Sequence, residues 1–193
     1  MKQSKKIAIT GGIGSGKSIV CELLRKKGYV VFSCDEISRA LWTSEEYRKG
    51  LTALFPTCAE RGEIVKDRLT AHVFSDKKEL ERLNAYAHPR IMQELIRRME
   101  ACEFSFAEVP LLFEEGYETL FDDVIAVVRN EGERIAAVAV RDGLSEDQIK
   151  LRMAHQFDPA RLNTKDCFVL ENNGSIEDLE CRLNEFLDSR RIL

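Results

Sequence analysis

Basic residues are not in excess in this 193-residue chain: 29 Lys and Arg stand against 33 Asp and Glu, a formal net charge of −4. A general nucleic-acid binder gains affinity by releasing counterions from a phosphate backbone, so this balance argues against one. No apolar run approaches the roughly 20 residues of a membrane span. Met1–Lys6 is basic, but only Ile7-Ala8-Ile9-Thr10 follows before glycines begin, too short an apolar region for a signal peptide. The six cysteines are scattered, with no Cys-x-x-Cys pair and no histidine at ligand spacing. That excludes the usual zinc patterns and leaves buried or incidental thiols in a reducing compartment. Internal repeats and low-complexity segments are also missing. What remains, 44% hydrophobic and 32% charged, predicts a cytoplasmic globular protein of one domain with an insertion. Its partners are expected to be small molecules, with no nucleic acid and no membrane, and its state a monomer or weak homo-oligomer.

The organising stretch is Thr10-Gly11-Gly12-Ile13-Gly14-Ser15-Gly16-Lys17-Ser18, which fits G-x-x-x-x-G-K-[ST]. Lys6–Ile9 before it reads as a short apolar strand, and Ile19, Val20, Leu23 and Leu24 after it recur at helical spacing. Glycines let the backbone curl with its N–H groups inward, a nest for anionic oxygens, and the following helix aims its positive end at the same place. Gly12, Ile13, Gly14, Ser15 and Gly16 would line the phosphates of a nucleoside triphosphate. Lys17 would reach the outer phosphates, and Ser18 would hold Mg²⁺.

Further along, Lys26-Lys27-Gly28 closes the first helix, and Tyr29–Phe32 reads as a buried strand delivering Ser33-Cys34-Asp35 past its end. From about 36 to 102 the strand signal disappears. Helices are predicted over 36–42, 44–55, 67–74, 76–87 and 89–103, with a loop at 56–62, a capping pair Asp76/Glu79 and a break at His88-Pro89. Ile91, Leu95, Ile96 and Met99 form the last helix's apolar stripe, while Trp42, Phe55, Phe74 and Tyr86 read as core of this inserted lobe. Strands return at 104–109, 123–128 and 167–170. Helices are predicted over 131–140, from a Ser145/Gln148 capping box to about 156, and over 175–188, the last packing Ile176, Leu179, Leu183 and Phe186. Strands alternating with helices imply an α/β fold with a parallel sheet. The domain reading is a nucleotide core of 1–35 and 103–193, a lid at about 141–166, and a helical lobe of 36–102.

A guanine-reading Asn-Lys-x-Asp is absent, and Phe121-Asp122-Asp123 precedes its strand instead of ending it, which argues against a GTPase and a motor ATPase. A small phosphotransferase fits better. Asp35 stands where a base could orient an alcohol and take its proton, or it caps the helix that follows. Arg141 is the first candidate for stabilising charge on the transferring group, with Arg152 and Arg161 behind it; each alone could be a solvated helix face. Asn173 and Gly174 belong to a turn beside which an adenine could rest. His88 could be a packed or capping histidine.

Thr10–Ser18, Asp35, Leu83-Asn84-Ala85 with His88-Pro89, Val109-Pro110-Leu111-Leu112 with Glu114, Arg141-Asp142 and Asn172-Asn173-Gly174 fall in order along the chain. In this combination the sequence resembles the dephospho-CoA kinases. The resemblance implies ATP- and Mg²⁺-dependent phosphorylation of the 3′-hydroxyl of dephospho-CoA, the last step of coenzyme A synthesis. It implies a three-layer P-loop kinase core of five parallel strands, an acceptor-binding helical lobe and a lid. It also implies Asp35, Lys17 and Arg141 as catalytic residues, and Thr10, Asp35, His88, Pro110 and Leu111 toward the acceptor. The family usually has Asp-Ala-Asp where this chain has Ser33-Cys34-Asp35. The alternatives are a kinase of another small hydroxyl compound and a nucleotide-binding regulatory module.

Overall fold

The computed structural model describes residues 4–154, 156–157, 162 and 167–192. They fall into two units, Met1–Ser33 with Arg98–Leu193, and Cys34–Arg97.

The first unit is a parallel sheet of five strands with helices between them. β1 (Lys5–Thr10), β2 (Val30–Ser33), β5 (Phe104–Glu108), β6 (Asp123–Val128) and β7 (Phe168–Glu171) lie in the order β2-β5-β1-β6-β7. β1 sits centrally, Ile9 opposite Glu108 on one side and Ile125 on the other, so the loop that leaves it emerges between two strand ends. α1 (Lys17–Lys26), α6 (Glu131–Asp142), α7 (Glu146–Ala154) and α8 (Ile176–Ser189) complete it. Ile7, Ile9, Phe106, Ile125, Val127 and Leu170 of the sheet pack with Val20 and Leu24 of α1 and Leu179, Leu183 and Phe186 of α8. Burying each such side chain is worth about 1.5–3 kcal/mol.

Two sequence expectations change here. The run 29–32 reads as a buried strand, yet β2 is the sheet's edge and Val30 is 44% exposed; an apolar run alone does not distinguish a central strand from an edge one. Ile176 is exposed, because it opens α8 and the buried stripe starts one turn later, at Leu179. The Ser145/Gln148 box forms in both directions, at 3.0 and 3.4 Å. A second box caps α8: Ser175 Oγ accepts from the Asp178 N–H at 3.1 Å, and the Asp178 carboxylate accepts from the Ser175 N–H at 3.0 Å. Ser175→Ala is therefore expected to lower stability by about 0.5–2 kcal/mol in urea unfolding, without changing the dependence on denaturant.

The second unit holds α2 (Cys34–Leu41), α3 (Glu45–Leu54), α4 (Lys66–Ser75) and nearly all of α5 (Lys77–Met99). Its core gathers Tyr47, Leu51, Phe55, Cys58, Ile64, Leu69 and Val73. It also holds two short strands, β3 (Ala59–Glu60) and β4 (Glu63–Ile64), where the sequence predicts only a loop. Arg61 and Gly62 both have positive φ, 52° and 84°, as a two-residue hairpin turn demands. Asp76 does cap α5, accepting from the Lys78 N–H at 2.8 Å, but Glu79 faces Arg82 and His72 instead of closing a box.

The predicted break at His88-Pro89 is absent, and α5 runs through Pro89. Next to it, the Arg90 guanidinium donates to the Tyr86 carbonyl at 2.9 Å and lies 3.8 Å over the Tyr86 ring. The backbone bond that the proline removes is the one to the Ala85 carbonyl, one residue before the acceptor that Arg90 uses. Met92, Leu95 and Met99 form the buried stripe, with Ile91 and Ile96 half-buried beside it. Phe74 is 77% exposed instead of core, because the buried positions of α4 are Leu69 and Val73 and Phe74 lies a step further round the helix.

Candidate functional site

β1 ends at buried Thr10, and the chain turns through 11–16 before α1 begins at Lys17. Gly16 is the N-cap of α1 with φ 97°, a conformation costly for any residue with a Cβ; a Cβ there would also collide with Asn172 Nδ2. No side chain caps the helix and no acid lies in its first turn. Its first N–H groups and positive dipole end are thus left for an anion.

Distant parts of the chain hold the loop in shape. Asn172, buried just after β7, donates to the Ser15 carbonyl at 2.9 Å. Arg134 of α6 donates through Nε to the Ile13 carbonyl at 2.9 Å, and Gln156 Oε1 accepts from the Ile13 N–H at 2.7 Å. The Asn130 N–H donates to Asn173 Oδ1 at 2.8 Å, joining the turn after β7 to the start of α6. Ser15 Oγ is buried without a hydrogen-bond partner among the described residues. An unpaired buried hydroxyl costs about 1–3 kcal/mol. A phosphate oxygen in the loop would meet that need, so the residues present fit such a group.

Lys17 folds back over the loop, donating to the carbonyls of Gly11 at 2.8 Å and Gly12 at 3.2 Å. Burial lowers its pKa from the ordinary lysine value; the Glu108 charge opposes that shift, and Arg134 and Arg141 add to it. Glu108 ends β5 beside β1. Cys21, one turn after Lys17, has its Sγ 4.0 Å from Glu108 Oε2. Burial, with the Glu108 charge second, pushes the thiol up to about 12, so it stays protonated and inert.

Thr10 and Pro110 line a small cleft with Gly11, Gly12, Phe113 and Glu114, whereas Leu111 is exposed in the turn beyond. Ser18 is exposed in the first turn of α1. Gly174 lies in the turn before the Ser175 cap. Asp35 lies in the first turn of α2, the second residue of the helix. His88 is in the middle of α5. Arg141 forks onto its own neighbour Asp142 at 2.7 and 2.9 Å with its side chain 61% exposed. Arg152 is on α7, and Arg161 lies outside the described residues.

Arg134, Gln156 and Glu108 are functional candidates that sequence reasoning misses, and Asn172, read there as part of a turn, is the residue that bonds the loop. Two had a signal. Glu108 is an acid closing an apolar strand, and Arg134 is one helical turn before buried Val138, hence on the packed face of α6. Among the described residues no three His, Cys, Asp or Glu side chains are grouped to hold a metal. A magnesium ion here would need phosphate oxygens and water besides the protein's hydroxyl and carboxylate.

Comparison with known proteins agrees with this geometry. The family model for dephospho-CoA kinase matches residues 5–178. The dephospho-CoA kinase of Thermus thermophilus is 39% identical over 184 residues, 94% of this chain and 89% of the relative. Among solved structures, TT1252 from Thermus thermophilus superposes with a TM-score of 0.81 at 35% identity, covering 97% of this chain and 98% of that one. Dephospho-CoA kinase from Campylobacter jejuni gives a TM-score of 0.68 at 26% identity, with 95% of each chain covered. A glycine loop at the end of the central strand, on a five-stranded parallel sheet and in a sequence matched nearly end to end, places this chain in the dephospho-CoA kinase family.

Proposed function

We propose that the protein transfers the γ-phosphoryl group of ATP to the 3′-hydroxyl of dephospho-CoA, giving CoA and ADP. The observation that carries the nucleotide half is the 11–18 loop itself: an uncapped helix N-terminus, glycine geometry, an orphaned Ser15 hydroxyl and Lys17 poised over the loop. Lys17 and the loop amides hold the phosphates, Ser18 would ligate Mg²⁺ with Glu108 as the nearby carboxylate, and the metal when bound offsets charge on the β- and γ-oxygens. Asp35 orients the acceptor hydroxyl and takes its proton. Thr10, Pro110, Leu111 and His88 serve the acceptor, Asn173 and Gly174 border the adenine, and the segment 141–166 works as a lid.

The unit Cys34–Arg97 takes the acceptor in this reading. Its own groove of about 610 Å³, between α3 and α5, supports the assignment. Tyr86 forms a wall there, its hydroxyl donating to the Tyr47 carbonyl at 3.1 Å over Gly50, and Arg90 covers its ring. No described helix is long and apolar enough to cross a membrane. A cytoplasmic monomer or weak homo-oligomer, without nucleic-acid partners, belongs to the same proposal.

ADP release measured against a panel of acceptors tests it. Turnover is expected with dephospho-CoA, the product carrying one added phosphoryl group on the 3′-oxygen. Turnover confined to a nucleoside or sugar acid would replace the acceptor, and ATP binding without any turnover would point to a regulatory module.

A further inference from the structure

Arg134 is a buried charge with no counter-charge bonded to it among the described residues. It is 8% exposed and sits in α6 one turn before buried Val138. Glu131 acts on it through space only, and Glu133, the preceding residue, is taken by Arg129 at 2.9 Å. Among the described residues its one hydrogen bond runs from Nε to the Ile13 carbonyl, inside the phosphate loop. Nη2 lies beside Gly12, in the space where a Cβ would stand, so glycine at 12 is what admits the guanidinium. Neither terminal nitrogen is among the buried unpaired atoms and no described residue bonds either, so both are reached by solvent and can be contacted by a ligand.

A guanidinium partly withdrawn from water is favoured by an opposite charge within reach of its exposed nitrogens. Burial lowers the pKa of Arg134 and the Glu131 charge, acting through space, only partly opposes it, while Arg134 in turn helps to lower the pKa of Lys17 across the loop. Two cations facing one glycine-lined loop leave room for a single kind of occupant, a multiply charged anion. Arg141, by contrast, spends its fork on Asp142 and is mostly in solvent.

The geometry points to Arg134 as a second phosphate-binding cation of the 11–18 loop, contacting the polyphosphate of the nucleotide through its terminal nitrogens, the role that the sequence suggested for Arg141. This rests on the ATP reading above. Nε fixes the side chain to Ile13, so the fork is preorganised before the nucleotide arrives.

Isothermal titration of the whole protein with AMP, ADP and ATP in the presence of magnesium separates binding to phosphate from support of the loop. Arg134→Gln keeps an amide donor for Ile13 and removes the charge. It is expected to weaken ATP and ADP by about 10- to 100-fold, the range for a hydrogen bond to a charged group, and to leave AMP close to the parent value. ATP should also raise the melting temperature of this variant less than that of the parent. Should Arg134→Gln fail to fold, Arg134→Lys keeps the charge and loses the fork, and should show the same ranking with a smaller loss. Equal weakening of all three nucleotides, or parent-like ATP affinity in a folded variant, would overturn the inference alone. A parent protein that binds none of them would overturn the ATP reading with it.

Discussion

Asp35→Asn is expected to cut kcat by about 10²–10⁴ while the fold and ATP affinity stay near those of the parent. The size follows from the chemistry. An amide keeps the shape of the carboxylate and can still accept a hydrogen bond from the alcohol, but it cannot take the proton as the phosphoryl group arrives. The structural cost is small for a stated reason. Asp35 lies in the first turn of α2, with Glu36 beside it. Its charge there complements the helix dipole, worth about 0.3–1 kcal/mol, and Glu36 remains after the change. A role in helix initiation and a role in catalysis therefore differ by orders of magnitude in what they remove. Turnover with dephospho-CoA, ATP affinity by titration and the melting temperature, all on one preparation, decide between them. A well-folded Asp35→Asn protein that turns over at the parent rate would sink the proposed base. A fall in melting temperature that accounts for the lost rate would leave Asp35 as scaffold.

Most of the scaffold that carries this chemistry is legible in the sequence because it depends on local signals. The phosphate loop combines a short motif with a strand before it and a helix after it. β5, β6 and α8 follow from apolar runs and periodicity, and the Ser145/Gln148 box from two side chains three residues apart. The parts that differ are decided by packing. β3 and β4 are two residues each, below the length at which alternation carries information, and only Arg61-Gly62 hints at their turn. Pro89 inside α5 breaks a local rule that the packing of Met92, Leu95 and Met99 outweighs. Around the loop the difference is sharper. Ile13 meets Arg134 121 residues away and Gln156 143 away, and Ser15 meets Asn172 157 away. No spacing rule reaches that far, so the loop's chemistry could be named from its motif while the side chains that shape it could not. Asn172, Asn173 and Gly174 read in the sequence as one turn, yet only Asn172 turns inward to bond the loop.

Lys17→Ala is expected to lower kcat by at least roughly 10²–10³, the loss associated with removing one preorganised electrostatic donor from a transferring group. It should not destabilise the protein. In the structure the ammonium is partly withdrawn from water and bonded to the Gly11 and Gly12 carbonyls, and burial is the largest cause of its lowered pKa. The unfolded chain therefore binds this proton more tightly than the folded one. Below the lowered folded value the charged amine opposes folding. Between that value and the ordinary 10.5 the folded protein releases the proton while the unfolded one keeps it, and stability from this group rises with pH. Alanine removes the penalty and its pH dependence together. The two carbonyls it frees lie in a half-buried loop and can turn to water. The melting temperature at neutral pH without nucleotide should accordingly be no lower than the parent's, and the difference between the two proteins should narrow as the pH climbs toward 10.5. With ATP present the order reverses, since the parent gains stabilisation from a ligand that the variant holds weakly. A variant that unfolds early without nucleotide would make Lys17 a structural residue. One that turns over normally would remove the phosphates from this loop and with them the kinase mechanism.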